Sequence, residues 1–226
     1  VQMKDRRDHP SHILDVKKIP ELNRLEWSEE DGLHIGAAVP LSMVAAYPPV
    51  VERFNILAQA CSLIGSVQVR NRGTVGGNIC NAAPSADTSL PLLCLGAEAL
   101  VARSEETRTI PLENFFQGPG QTALACNELL VEIEVPTPLT SSVGCYLRHT
   151  PREEMDIAVV GVASFLTLVP QDNLCHEARI ALGAVAPTPI RAYQAEILLA
   201  GRTQAEGAVE EAAERAAEAA FPISDL

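Results

Sequence analysis

The segment Arg70-Asn71-Arg72-Gly73-Thr74-Val75-Gly76-Gly77-Asn78, followed nine residues later by Asp87, decides how the rest of the chain is read. Three glycines fall within five positions, flanked by arginines and amide side chains. Glycine lets backbone N–H groups approach an anion with no Cβ in the way, and it accepts the positive-φ conformations of anion-wrapping loops. The segment therefore reads as a loop around a phosphate group. Asp87 is placed either to accept a hydrogen bond from a sugar hydroxyl or to cap the apolar helix that follows it. Together they point to a nucleotide-type cofactor.

Upstream, Val51, Phe54, Leu57, Ala58, Cys61 and Ile64 recur at helical spacing and predict one helix over Val50–Ile64, stopped by Gly65. His34–Val39 reads as a strand ended by Pro40, and Ser42–Ala46 as a helical turn behind a Ser N-cap. Downstream, Thr88–Leu95 reads as an apolar helix, and Ala97–Ala102 with Thr107–Pro111 as a hairpin around Ser104-Glu105-Glu106. Leu129–Val135 alternates as a strand. Pro136-Thr137-Pro138 with Thr140-Ser141-Ser142 marks a boundary between residues 1–138 and 139–226. Beyond it come strands at Gly144–His149, Ile157–Val169 and Ala178–Val185, then helices at Ile190–Leu199 and Gln204–Ala220. The charges of the last helix read as a solvated face. The architecture is α+β in two parts.

Composition narrows the class of function. The 226 residues carry a formal charge of −12, which excludes the clustered cations of a nucleic-acid surface. No run reaches the roughly 20 apolar residues of a membrane span. Val1–Arg7 is polar and charged, unlike a signal or transit peptide. The cysteines, at 61, 80, 94, 126, 145 and 175, are irregularly spaced with no C-x-x-C pair, and His9, His12, His34, His149 and His176 show no ligand pattern. No metal site and no disulfide framework is expected, and the thiols read as reduced residues of a cytoplasmic protein. Cys80, directly after the glycine segment, reads as a small packing residue in preference to a redox thiol.

Four stretches, in order, carry a resemblance. Gln68–Pro91, QVRNRGTVGGNICNAAPSADTSLP, resembles the second flavin-binding loop of the FAD-binding medium subunits of molybdenum hydroxylases, the family of carbon monoxide dehydrogenase and xanthine dehydrogenase. Val1–Leu14, with MKDRR running into HPSHILDV, resembles the segment after the family's first flavin loop. Leu129–Pro136, LLVEIEVP, resembles the strand that closes the FAD domain. Tyr146–Val162, YLRHTPREEMDIAVVGV, resembles the opening of the C-terminal domain.

The resemblance implies a PCMH-type FAD-binding domain over 1–138 and a small α+β domain over 139–226, with a three-stranded antiparallel sheet and helices. It implies that Gly73, Thr74, Gly76, Gly77 and Asn78 hold the FAD pyrophosphate and part of the flavin, that Cys80 and Asn81 continue along the cofactor, and that Asp87 binds a ribose or ribityl-side hydroxyl. Ile64, Leu130 and Arg148 fall where relatives line the flavin or adenine, and a cation at Arg148 suits the negative charge of reduced flavin. No residue is needed as a general base or nucleophile. The molybdopterin and two-iron two-sulfur centres are implied on a large and a small partner subunit, in a dimer of heterotrimers. The family's first Ala-Gly-Gly-Thr-type loop has no counterpart ahead of Val1, and relatives continue past Pro222–Asp225, so truncation at both ends is expected. Two alternatives are a stand-alone flavin oxidase of the same domain design and a scaffold that has lost its cofactor.

Overall fold

A computed structural model describes residues 10–224, apart from 153, 154, 171, 173, 204 and 205. The first nine residues of the Val1–Leu14 resemblance therefore lie outside the described residues. A short 3-10 turn, Pro20–Asn23, leads into strands β1 (Leu25–Ser28) and β2 (Gly32–Gly36). Six helices follow: α1 (Leu41–Ala46), α2 (Pro48–Arg53), α3 (Asn55–Leu63), α4 (Val67–Arg70), α5 (Val75–Asn81) and α6 (Ser89–Cys94). Strands β3 (Glu98–Arg103), β4 (Glu106–Pro111), β5 (Phe116–Gly118), β6 (Gln121–Thr122) and β7 (Leu129–Val135) complete the first domain. Its main sheet has the order β1-β2-β7-β3-β4 with every neighbour antiparallel. The late strand β7 thus enters the centre of the sheet, and its Leu130, Ile133 and Val135 all join the core, a bulge opposite Leu100 and Val101 accounting for the odd spacing of Leu130 and Ile133.

The second domain is an antiparallel meander of three long strands, β8 (Ser142–His149), β9 (Val160–Leu168) and β10 (Cys175–Gly183). A fourth, two-residue strand, β11 (Ile190–Arg191), extends it beside β10. Helices α7 (Tyr193–Leu199) and α8 (Glu206–Glu218) cover the outer side of the sheet around Ile180, Leu182, Ala195 and Leu199. The inner side does not form a separate core: Tyr146, Ala163, Phe165 and Ala181 join the core of the first domain.

Helix α6 is the joint between the two. Each of its six residues is buried, so it has no solvent face. It reaches the second sheet over two glycines, because a Cβ on Gly183 would stand 2.9 Å from Leu90 Cδ1 and one on Gly161 3.0 Å from the same atom.

Several local readings need correction. The helix expected over Val50–Ile64 is two helices, broken at Phe54 (φ −122°, ψ 41°), whose ring is fully buried. Pro48 opens the first of them from the N-terminal turn, where its missing N–H is no loss. Helix α1 begins after Pro40 with no side-chain cap, so Ser42 lies inside the helix. Ile190 and Arg191 extend the sheet and are not the first turn of α7, because Ile190 pairs with Leu182 and Arg191 with Ala181. The glycine segment is less of a loop than its composition suggests: its second half is the start of α5.

Candidate cofactor site

Thr74 is the N-cap of α5, and its Oγ1 accepts the N–H of Gly77 at 2.9 Å. The turn before it is tied down twice, since Gly73 N–H donates to Val69 O at 2.6 Å and Gly73 O accepts from Leu41 N–H at 2.9 Å. The glycines serve different purposes. A Cβ on Gly76 would lie 2.6 Å from the Cα and O of Ala37, so Gly76 lets α5 pack on the backbone that leaves β2. Gly77 faces outward, and a Cβ there would approach only Thr74 Oγ1, at 3.0 Å. Thr74 Oγ1 takes the Gly77 N–H and Thr74 O the Asn78 N–H at 3.0 Å, so of the first turn the Val75 and Gly76 N–H groups have no partner within the helix, and no side chain stands over the turn at Gly77. That donor set suits a phosphate-bearing cofactor.

The next turns carry the chain toward Asp87. Asn78 Oδ1 accepts from Thr88 Oγ1 at 2.6 Å, which ties α5 to the residue after Asp87. Cys80 is half-buried beside the core, and burial pushes its thiol up to about 11, so it stays protonated at neutral pH. Asn81 is exposed at the end of α5, and Ala82 closes the helix in the left-handed region (φ 46°). Asp87 does not cap α6; Thr88 holds that position, and makes no side-chain cap bond.

Asp87 instead faces the second domain. Its Oδ1 accepts from Tyr146 Oη at 2.5 Å, and both its oxygens accept from Arg148 Nη1 at 3.2 Å. Arg148 Nη2 donates to Leu63 O at 2.6 Å, at the end of α3 beside Ile64. The cation at Arg148 is therefore already paired with a carboxylate.

Helix and strand periodicity place these groups. Alternation along β8 turns Gly144, Tyr146 and Arg148 to one side. A stripe on α3 meets them in register: Asn55 Nδ2 donates to Gly144 O at 3.3 Å, Gln59 Oε1 accepts from Tyr146 N–H at 2.9 Å, and Leu63 O takes Arg148. Four residues of helix rise about 6 Å and two residues of strand about 6.6 Å, so the two repeats keep step over this distance. Gly144 permits the approach, since a Cβ there would lie 2.5 Å from Ile56 Cγ2.

The structure thus brings together Asp87, Arg148 and the Leu63–Ile64 turn, and links them through Thr88 to Asn78 and the start of α5. Ile64 is half-buried, and its carbonyl accepts from Arg70 Nη1 at 3.0 Å. Leu130 is 2 % exposed, in the core of the sheet beside Val101, and is not brought to the surface with the other residues. Sequence reasoning missed Tyr146; the signal was its place two residues before Arg148 in a strand, on the same face.

Elsewhere, among the described residues, His34, Glu132 and Glu134 place potential ligand atoms within 4.8 Å of one another. The Arg24 guanidinium, 3.5 Å from Glu132 Oε1, already supplies positive charge there, and His34 Nδ1 lies 3.2 Å from the same oxygen. No helix among the described residues is long and apolar enough to cross a membrane.

Comparison with known proteins agrees with this arrangement. The family described as "FAD binding domain in molybdopterin dehydrogenase" matches residues 1–138, and "CO dehydrogenase flavoprotein C-terminal domain" matches 146–226. The carbon monoxide dehydrogenase medium chain of Hydrogenophaga pseudoflava is 34% identical over 224 residues, 99% of this chain and 77% of that one. A putative xanthine dehydrogenase FAD-binding subunit of Escherichia coli K12 is 32% identical over 197 residues, 87% of this chain and 67% of the relative. Among solved structures, the Hydrogenophaga pseudoflava carbon monoxide dehydrogenase lacking the Mo-pyranopterin moiety superposes with a TM-score of 0.93 at 34% identity, covering 99% of this chain and 77% of that one. Quinoline 2-oxidoreductase from Pseudomonas putida 86 gives 0.90 at 31% identity, covering 100% and 77%. The two family matches, on a fold whose glycine-rich helix start is tied through Asn78 and Thr88 to a clamped acid, define the class as a flavoprotein of the dehydrogenase kind. This chain belongs to the family of FAD-binding medium subunits of molybdenum hydroxylases.

Proposed function

We propose that this chain is the electron-transfer subunit of a molybdenum hydroxylase and that the region from Gly73 to Asp87 is its FAD site. In this reading electrons come from two-iron two-sulfur centres on a small partner, after substrate oxidation at a molybdopterin centre on a large one, and leave to an external acceptor. Two such heterotrimers would form the assembly, in the cytoplasm. Bound FAD supplies the redox chemistry, and the protein positions and tunes it.

Each residue then has a physical task. Thr74 sets the start of α5, Gly73 and Gly76 allow its close packing, and Gly77 and Asn78 present the open first turn to the pyrophosphate. Cys80 and Asn81 continue along the cofactor, and Asp87 meets a sugar or ribityl hydroxyl. Ile64 and Arg148 border the flavin, while Leu130 belongs to the core of the sheet. Residues 1–138 form the FAD-binding domain, and 139–226 a second domain that holds Asp87 through Arg148. The ordered match of both family descriptions to one chain carries this reading, and it favours a subunit over a stand-alone oxidase or a scaffold.

The test is a visible absorption spectrum of the protein with FAD, before and after dithionite, for the wild type and Gly77→Asp. Flavin bands that bleach in the wild type and are lost in a folded Gly77→Asp variant support the site. Retention of full flavin by Gly77→Asp removes the glycine turn from it.

A further inference from the structure

Asp87 is held by two side chains of the second domain, and they hold it differently. Arg148 Nη1 lies 3.2 Å from each carboxylate oxygen, so it does not choose between them. Tyr146 Oη lies 2.5 Å from Oδ1 alone. A carboxylate has about four lone-pair positions. Two are used at Oδ1 and one at Oδ2, so the remaining capacity lies on Oδ2.

We propose that Tyr146 is a positioning residue for the flavin cofactor: acting through Asp87, it occupies Oδ1 and leaves Oδ2 as the atom presented to a cofactor hydroxyl. This rests on the reading of Asp87 as the residue that meets the cofactor. Burial and the neighbouring Asp87 charge push the Tyr146 phenol well above its usual range. The hydroxyl therefore remains a donor throughout the physiological range, and Oδ1 stays occupied. With Tyr146 only 3 % exposed, water has no access from which to replace it.

A second tyrosine–carboxylate bond gives the control. Tyr193 Oη donates to Glu113 Oε2 at 2.6 Å, also between the two domains, without touching Asp87. If Tyr146 merely helped the domains dock, loss of either hydroxyl would have the same effect.

The experiment measures FAD dissociation constants, and the visible circular dichroism of bound flavin, for the full chain and for Tyr146→Phe, Asp87→Asn, their double variant and Tyr193→Phe. Tyr146→Phe is expected to weaken FAD binding about tenfold, the scale of one hydrogen bond to a charged group, and to alter the flavin dichroism. It should add nothing in the Asp87→Asn background, and Tyr193→Phe should leave affinity unchanged. Equal losses in Tyr146→Phe and Tyr193→Phe would overturn the proposal. So would wild-type affinity in Tyr146→Phe beside a loss in Asp87→Asn, which leaves the Asp87 reading intact. Wild-type affinity in both single variants would remove Asp87 from the site and the proposal with it. Should Tyr146→Phe fail to fold, fluorotyrosine at position 146 keeps the shape and strengthens the donor. It is expected to change affinity and dichroism in the opposite sense, and no change overturns the proposal.

Discussion

Gly76 and Ala37 touch backbone to backbone: a Cβ added to Gly76 would stand 2.6 Å from both the Cα and the carbonyl oxygen of Ala37. Ala37 is itself fixed to the sheet, because its N–H donates to Val131 O at 2.8 Å in β7. The position of α5, and hence of the candidate pyrophosphate site, is therefore set against the central strand of the sheet.

Gly76→Ala should accordingly be costly, by about 1–3 kcal/mol, since overpacking against backbone cannot be relieved by a rotamer change. Gly77→Ala meets only a hydroxyl, and the gain in helix propensity is up to about 1 kcal/mol. Thermal or urea unfolding of the two variants should show opposite ranks. Equal destabilisation would mean that Gly77 too is a packing residue.

Thr74→Ala removes the acceptor for Gly77 N–H, and a loss of about 1 kcal/mol is expected from the cap alone. Thr74→Ser keeps the oxygen and should recover most of it. The same two variants, titrated with FAD, report whether ordering of this turn limits cofactor binding.

The second interdomain cluster should be more sensitive than any exposed ion pair. Glu196 is buried, accepts from Ile180 N–H at 2.7 Å, and is paired with Arg191 Nε and Nη2 at 3.0 and 2.7 Å. Arg191 also bonds Glu113, across the domain boundary. Arg191→Ala leaves a buried carboxylate without its cation, a change that costs about 3–5 kcal/mol. Urea unfolding should show it; a shift within the range of surface substitutions would mean that water replaces the guanidinium.

Alkaline pH should weaken the fold. Burial pushes the thiols of Cys61 and Cys94 up to about 12 and that of Cys80 up to about 11, from an ordinary value of 9.0. A group whose protonated form is favoured by folding contributes its full share below the unfolded pKa and loses it as pH rises toward the folded one. Stability should hold to about pH 8.5 and then fall. Alkylation at pH 8 should label the exposed Cys126 and Cys145 first. Labelling of Cys61 or Cys94 at the same rate would contradict their burial.

What the sequence revealed depended on whether the cause was local. β7 runs over Leu129–Val135 as its alternation indicates, and the hairpin turns near Ser104, which takes the positive φ of 49° that a tight turn uses. The break at Phe54 was hidden because the residue fits the apolar stripe of a continuous helix; only its burial in the core reveals the kink. β11 is two residues long and carries no period of its own. The glycine segment was legible as chemistry but not as geometry, because the need for glycine at position 76 comes from Ala37, far away in the chain. The strand spacing that puts Tyr146 beside Arg148 was legible, but its partner was not, for the same reason: Asp87 lies 59 residues earlier.

Helix α6 has a further consequence. It is sequence from the first domain lying against strands of the second, and neither half could keep its six buried residues dry alone. The prolines at 136 and 138 mark a seam in the chain that is no seam in cooperativity. The two parts should melt in one transition, and a protein cut at this seam should yield two sticky halves in place of two modules.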